Sequence, residues 1–196
     1  TAAGRARLEV ERAVALDPDD LVVRISMANI YRGTGKADLA ARELRQAVAL
    51  EPGNDNAHRL LAQTLASLGR DAEAVSAFQR AIAIRPDYWR NHAALGAHFF
   101  RSSKYREALD AFRRATELQP NAVSAFANLG ASHQVLGENT KALEAFARVL
   151  VLSPDNHVAM SNIGTLHYSE GRYVEAVEAY ERACAAAHYF KQHKPR

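Results

Sequence analysis

Arginine and histidine carry most of the chemistry this chain could perform, and both recur at regular distances. Arg80, Arg114, Arg148 and Arg182 stand 34 residues apart, with Arg12 two intervals before Arg80. A guanidinium ladder could in principle follow a phosphate backbone. Asp110, Glu144 and Glu178 each precede a ladder arginine by four residues, which predicts local ion pairs on a solvated helix face and ranks nucleic acid, including single-stranded RNA, below protein as a partner. His133 and His167 are one interval apart, as are His58 and His92. On neighbouring helical units they would lie about 8–10 Å apart, too far to share a zinc ion without distortion. They read as packing residues. Cys184, the single cysteine, excludes a disulfide framework and reads as a small buried side chain. It leaves the compartment unfixed, with the cytoplasm ranked first. No phosphate-binding loop, nucleophile motif or Cys/His cluster occurs, so neither an enzyme nor a cofactor or metal is expected.

The elements that position these residues follow from five prolines. Pro18, Pro52, Pro86, Pro120 and Pro154 share one 34-residue interval, the mark of stacked repeats rather than of a single folded core. Counting the third residue after each proline as position 1, position 20 is always alanine: Ala40, Ala74, Ala108, Ala142 and Ala176. Position 27 is Ala47, Ala81, Ala115, Val149 and Ala183, and position 8 is Ala28, Ala62, Gly96, Gly130 and Gly164. Position 24 supplies bulk as Leu44, Phe78, Phe112, Phe146 and Tyr180. Gly35, Gly69, Ser103, Gly137 and Gly171 at position 15 predict the end of a first helix. Asp19, Asp87, Asn121 and Asp155, each after its proline, are placed to cap that helix. Along residues 72–83 the apolar side chains Ala74, Ala77, Phe78, Ala81 and Ile82 keep helical spacing. One such hairpin cannot bury its apolar face alone, and stacking buries it.

These recurring positions resemble the tetratricopeptide repeat family from Leu21 to about His188, with half of an earlier repeat at Arg5–Pro18, where Ala6, Val10 and Ala13 match. The resemblance implies an all-α fold, a right-handed superhelical solenoid of antiparallel helix-turn-helix hairpins. Its parts are a half-repeat at 1–20, repeats at 21–54, 55–88, 89–122, 123–156 and 157–188, and a helix extension or tail at 189–196. Two departures stand out. The tryptophan common at position 4 is Arg24, His58, His92, Phe126 or Met160, which suggests altered packing at the groove edge. His188 replaces the last repeat's proline and predicts that the final helix runs on.

The resemblance also implies that positions 2, 5, 6, 9, 12 and 13 line a concave groove for extended peptides. No carboxylate occupies them, whereas Arg32, Arg59, Arg90 and Arg101 do, joined by Asn29, Gln63, Ala97, Phe100, Asn128, Gln134, Asn162 and Tyr168. Guanidiniums attract acidic or phosphorylated chains, amides bond a peptide backbone, and aromatic rings cover apolar groups. The carboxylate clamp of some family members does not transfer, because its five positions hold Ile25, Asn29, Leu60, Arg90 and Ala94. The expectation is a protein-interaction scaffold without enzymatic activity; the alternatives are a docking or regulatory arm of a larger kinase or glycosyltransferase, or an RNA binder. Net charge is +3 over 196 residues, and no apolar run approaches the ~18 residues of a membrane span. A first residue that is not Met, opening in mid-repeat, suggests a piece of a longer protein. Both array ends lack a neighbour, so Tyr189 and Phe190 are candidates for a cap on the array or for end-to-end self-association.

Overall fold

The computed structural model describes residues 20–192, with side chains through Tyr189. The half-repeat at Arg5–Pro18, Arg12, Asp19 and the Phe190 side chain lie outside the described residues. Among the described residues are ten α-helices and no strand: α1 (Leu21–Gly33), α2 (Ala37–Leu50), α3 (Asp55–Ser67), α4 (Asp71–Ile84), α5 (Trp89–Arg101), α6 (Tyr105–Leu118), α7 (Val123–Val135), α8 (Asn139–Leu152), α9 (His157–Ser169) and α10 (Tyr173–Gln192). The last helix continues through His188, where earlier repeats have proline. No helix among the described residues is long and apolar enough to cross a membrane.

The proline period marks the turn that joins successive hairpins. Pro52, Pro86, Pro120 and Pro154 are second in turns closed by N–H···O=C bonds from Asn54 to Glu51 (3.0 Å), Tyr88 to Arg85 (3.3 Å), Ala122 to Gln119 (3.0 Å) and Asn156 to Ser153 (3.1 Å). Proline presets the backbone angle this place requires. The next residue is then third in the turn, so Asp87, Asn121 and Asp155 do not cap the following helix. The cap stands one residue further on: Asp20 accepts from the N–H groups of Val22 and Val23, Asn54 from Ala57, and Asn156 from Ala159. At α7 the place is taken by Ala122, which offers no side-chain acceptor.

Within a hairpin the reversal is equally regular. Gly35, Gly69, Gly137 and Gly171 have φ of +74°, +72°, +74° and +75°, and Ser103 adopts the same left-handed conformation at +59°. The N–H after each returns to the carbonyl five residues back, Lys36 to Tyr31, Arg70 to Leu65, Lys104 to Phe99, Glu138 to His133 and Arg172 to His167, at 2.8–3.0 Å. This bond satisfies a helix-end carbonyl that would otherwise lack a partner.

The chain divides within α5 into one compact unit ending at His98 and another beginning at Phe99. In the first, α1 packs on α2, α2 on α3 and α3 on α4; Ala28, Ala40, Leu44, Ala62, Ala74 and Phe78 are wholly buried, and Ala94 and Leu95 of α5 pack against their cluster. In the second, α6 packs on α7, α7 on α8, α8 on α9 and α9 on α10; Ala142, Phe146, Val149, Ala159 and Leu166 form a buried cluster against which side chains of α7, α8 and α9 pack. The small residue at position 8 is dictated by the ring at position 24. A Cβ on Gly130 would lie 2.7 Å from Phe146 Cε1, and one on Gly164 would lie 2.9 Å from Tyr180 Cε1.

Candidate functional site

Asp55, Arg59 and Gln63 stand four residues apart on α3, which puts them in one column along a helix face. Arg32 of α1 joins that column at one end, its Nη2 donating to Gln63 Oε1 at 3.0 Å and its Nη1 to Asn29 Oδ1 at 3.4 Å. Asn91 of α5 joins it at the other. Wholly buried, Asn91 donates from Nδ2 to Asp55 Oδ2 and to the Ala81 carbonyl, both at 3.1 Å. Arg59 lies between these ties, donating from Nη2 to Asn56 Oδ1, while its Nε is buried without a hydrogen-bond partner. Arg90 is exposed; its guanidinium sits 5.4 Å from the Trp89 ring centre, and its Nη1 lies 3.5 Å from the Tyr88 hydroxyl. A cleft of about 410 Å³ opens along Arg32, Gly35, Ala37, Gln63 and Ser67.

Among the described residues, Arg32, Arg59 and Arg90 form no ion pair within 4 Å. Burial, and then the charge of Arg59, hold the Arg32 pKa below the usual arginine range. Burial is also the chief cause of the lowered Arg59 pKa, which Tyr88 and Asp55 oppose and Arg90 reinforces. Mutual repulsion in a half-dry setting is a cost that an anion placed among the cations would relieve. Asp55 supplies only part of that relief, because Asn91 and the Arg85 Nη1, at 3.5 Å, engage its carboxylate.

The remaining positions assigned to the groove are arranged differently. Ala97, half-buried on α5, belongs to the first unit with Asn29, Arg32, Arg59, Gln63 and Arg90. Phe100, Arg101, Asn128, Gln134, Asn162 and Tyr168 belong to the second. There Phe100 packs edge-on against Tyr105 at 5.3 Å between ring centres, and Tyr168 against Tyr173 at 5.6 Å. Tyr168 is nevertheless 62% exposed, and Asn128 and Arg101 are exposed as well, so all three can meet a ligand. Gln134 and Asn162 are half-buried.

Several residues have roles other than those expected. Asp110 pairs with Arg113 (3.3 Å) and Arg114 with Glu117 (2.9 Å), three residues apart rather than four. Arg148 donates to the Pro120 carbonyl at 3.3 Å and lies over the Phe126 ring, where Glu144 had been the expected partner. Cys184 is exposed, although position 28 is partly or fully buried in Val48, Ile82, Thr116 and Leu150. The reason is its place on α10: among the described residues no later first helix covers it. His58 and His92 bond through Nε2 to the Pro52 and Pro86 carbonyls, at 3.1 and 2.8 Å, and so brace the turns between hairpins. Buried His133 bonds through Nδ1 to Glu138 Oε2 at 2.8 Å. Asp55, Tyr88, Trp89 and Asn91 were not among the groove positions. Asn91 was detectable in principle, as the amide where other copies have Val23, Ala57, Ala125 and Ala159.

Comparison with known proteins agrees with this construction. A tetratricopeptide repeat family model matches residues 25–88, 94–157 and 129–189. No curated protein sequence matches the chain. Among solved structures, MamA superposes with a TM-score of 0.77 at 23% identity, covering 85% of this chain and 98% of MamA. PilF of Pseudomonas aeruginosa gives 0.75 at 23% identity over 92% and 78% of the two chains. YrrB, described as a TPR protein with an unusual peptide-binding site, gives 0.69 at 21% identity over 90% and 91%. At these identities the structures speak for the fold alone, whereas the family model spans most of the sequence. The repeated turns, the left-handed helix ends, the small residues beneath position 24 and that match together make the chain a member of the tetratricopeptide repeat family.

Proposed function

We propose that the chain is a non-catalytic protein-interaction module and that the first-helix face of its first unit binds an extended acidic or phosphorylated segment. Tetratricopeptide repeats as a family mediate contacts between proteins, and YrrB is described as having a peptide-binding site. The observation that carries the reading is the set of Arg32, Arg59 and Arg90, tied into one face by Gln63 and Asn91 and lacking an ion-paired carboxylate. An acidic chain would supply the missing counter-charge through charge-assisted hydrogen bonds. In the second unit, the Asn128 and Asn162 amides suit a ligand backbone, and the Tyr168 ring suits an apolar group. Pairing within the outer arginine ladder, as at Arg114 and Glu117, argues against that ladder as a nucleic-acid track.

Titration with Glu-rich and Lys-rich peptides of equal length at two ionic strengths tests the charge preference. The Glu-rich peptide is expected to bind, and to bind less tightly as salt rises. Equal affinity for the two peptides, or no binding of the Glu-rich one, would overturn the reading.

A further inference from the structure

We infer that the Arg59–Arg90 end of this face is built for a phosphate monoester dianion carried on an extended chain, in preference to a carboxylate or a phosphodiester. The inference rests on the acidic-segment reading and deepens it by naming the anion. Its basis is the arrangement around α3. Arg59 stands between Asp55 and Gln63 in the α3 column, Arg32 is tied to Gln63, and Asn91, beside Arg90, is tied to Asp55. Arg59 and Arg90 thereby act on each other from neighbouring first helices, with Arg85 3.5 Å from Asp55, while Arg32 adds positive charge at the far end of the column. Asp55 is the one carboxylate in this set, which leaves a surplus of positive charge that a monoanion cannot match. A phosphate monoester carries a charge of about −1.5 to −2 near neutral pH and three strong acceptor oxygens.

The donors suit such an oxyanion. Arg90 is exposed and lies over Trp89, so its planar fork is held by the ring and open to a ligand. Tyr88 sets a hydroxyl 3.5 Å from Arg90 Nη1, and that hydroxyl keeps its own proton to donate. Asn91 and Arg85 hold Asp55 from the other side, leaving the Arg59 and Arg90 guanidiniums to a ligand rather than to an internal ion pair. Arg59 and Arg32 are each depressed in pKa by burial and by a neighbouring arginine, as cations awaiting a counter-ion would be.

The test uses the whole chain and a labelled Gly/Ala peptide carrying two central serines, two glutamates or two phosphoserines. At pH 7.5 the phosphoserine form should bind about tenfold or more tighter than the glutamate form, and the serine form weakest. Between pH 7.5 and 5.5 the phosphoserine affinity should fall, because protonation near pH 6 removes charge from the phosphate. The glutamate affinity should change little. Arg32, Asp55, Arg59, Arg85, Tyr88 and Arg90, and also His58 and His92, are the same protein groups for both peptides, so only the ligand's own ionisation separates the two profiles. Replacing exposed Arg90 with Gln should reduce the phosphoserine preference several-fold while thermal unfolding stays unchanged. Equal affinity for phosphoserine and glutamate forms would overturn the phosphate assignment and leave the acidic-segment reading standing; binding of neither would remove both. Inorganic phosphate binding as tightly as the phosphopeptide would overturn the chain-borne source. A single-stranded oligouridylate binding more tightly than the phosphopeptide would overturn the preference for a monoester.

Discussion

Gly130 and Ser103 show how single residues are constrained by the repeat. A Cβ at position 130 would stand 2.7 Å from Phe146 Cε1, inside any normal contact, and Phe146 is wholly buried with nowhere to retreat. Gly130→Leu should cost about 1–3 kcal/mol, the range for overpacking a close-packed interior. An unchanged denaturant midpoint would contradict it. Ser103 pays for a left-handed backbone that its four counterparts adopt as glycine, so Ser103→Gly should stabilise by up to about 1 kcal/mol, read as a higher midpoint. Both constraints were legible in the sequence, as small residues at one register and glycines at another. Cys184 was not, because its exposure depends on what lies against α10 rather than on its own type. Asn91 and Asp55 escaped notice for a related reason: their contact joins positions 3 and 1 of different repeats, a pairing that no single-repeat pattern records.

At the scale of the helix, the joints decide where elements begin and end. The proline interval revealed the hairpins, but it misplaced the cap by one residue, since the residue after proline is spent on the turn. Asn156→Ala should therefore cost about 1 kcal/mol through loss of the bond to the Ala159 N–H, whereas Asp155→Ala should leave the midpoint nearly unchanged. The opposite order in urea unfolding would restore the original placement. Glu138 holds the α7–α8 joint twice, through its N–H to the His133 carbonyl and through its carboxylate to His133 Nδ1 and Lys141 Nζ. The hydrogen bonds from His133 and then Lys141 keep its pKa below the usual glutamate range. A depressed carboxylate contributes stability that is present above its unfolded value, about pH 4.3, and lost as pH falls through the folded value. Glu138→Gln should accordingly unfold with a shallower acid limb than the wild type in circular dichroism. Superimposable acid limbs would show that the pair contributes nothing to the joint.

At the scale of the whole molecule, five regularly spaced prolines and a recurring set of small and large residues carried the fold class, because a 34-residue period leaves few ways to bury one face of every hairpin. The face proposed to bind was legible only as a charge pattern: four arginines and no carboxylate at positions assigned by family resemblance. The structure groups three of those arginines in one unit and adds Asp55, Tyr88 and Trp89 to their surroundings. Binding as proposed depends on that inner set and not on the outer ladder. It is tested by titrating a Glu-rich peptide against Arg59→Glu/Arg90→Glu and against Arg114→Glu/Arg182→Glu, which carry the same change in charge. The first pair should weaken binding about tenfold or more, since it replaces attraction with repulsion at the contact, while the second stays close to wild type. Equal losses from the two pairs, or a loss that follows Arg114 and Arg182, would contradict the claim.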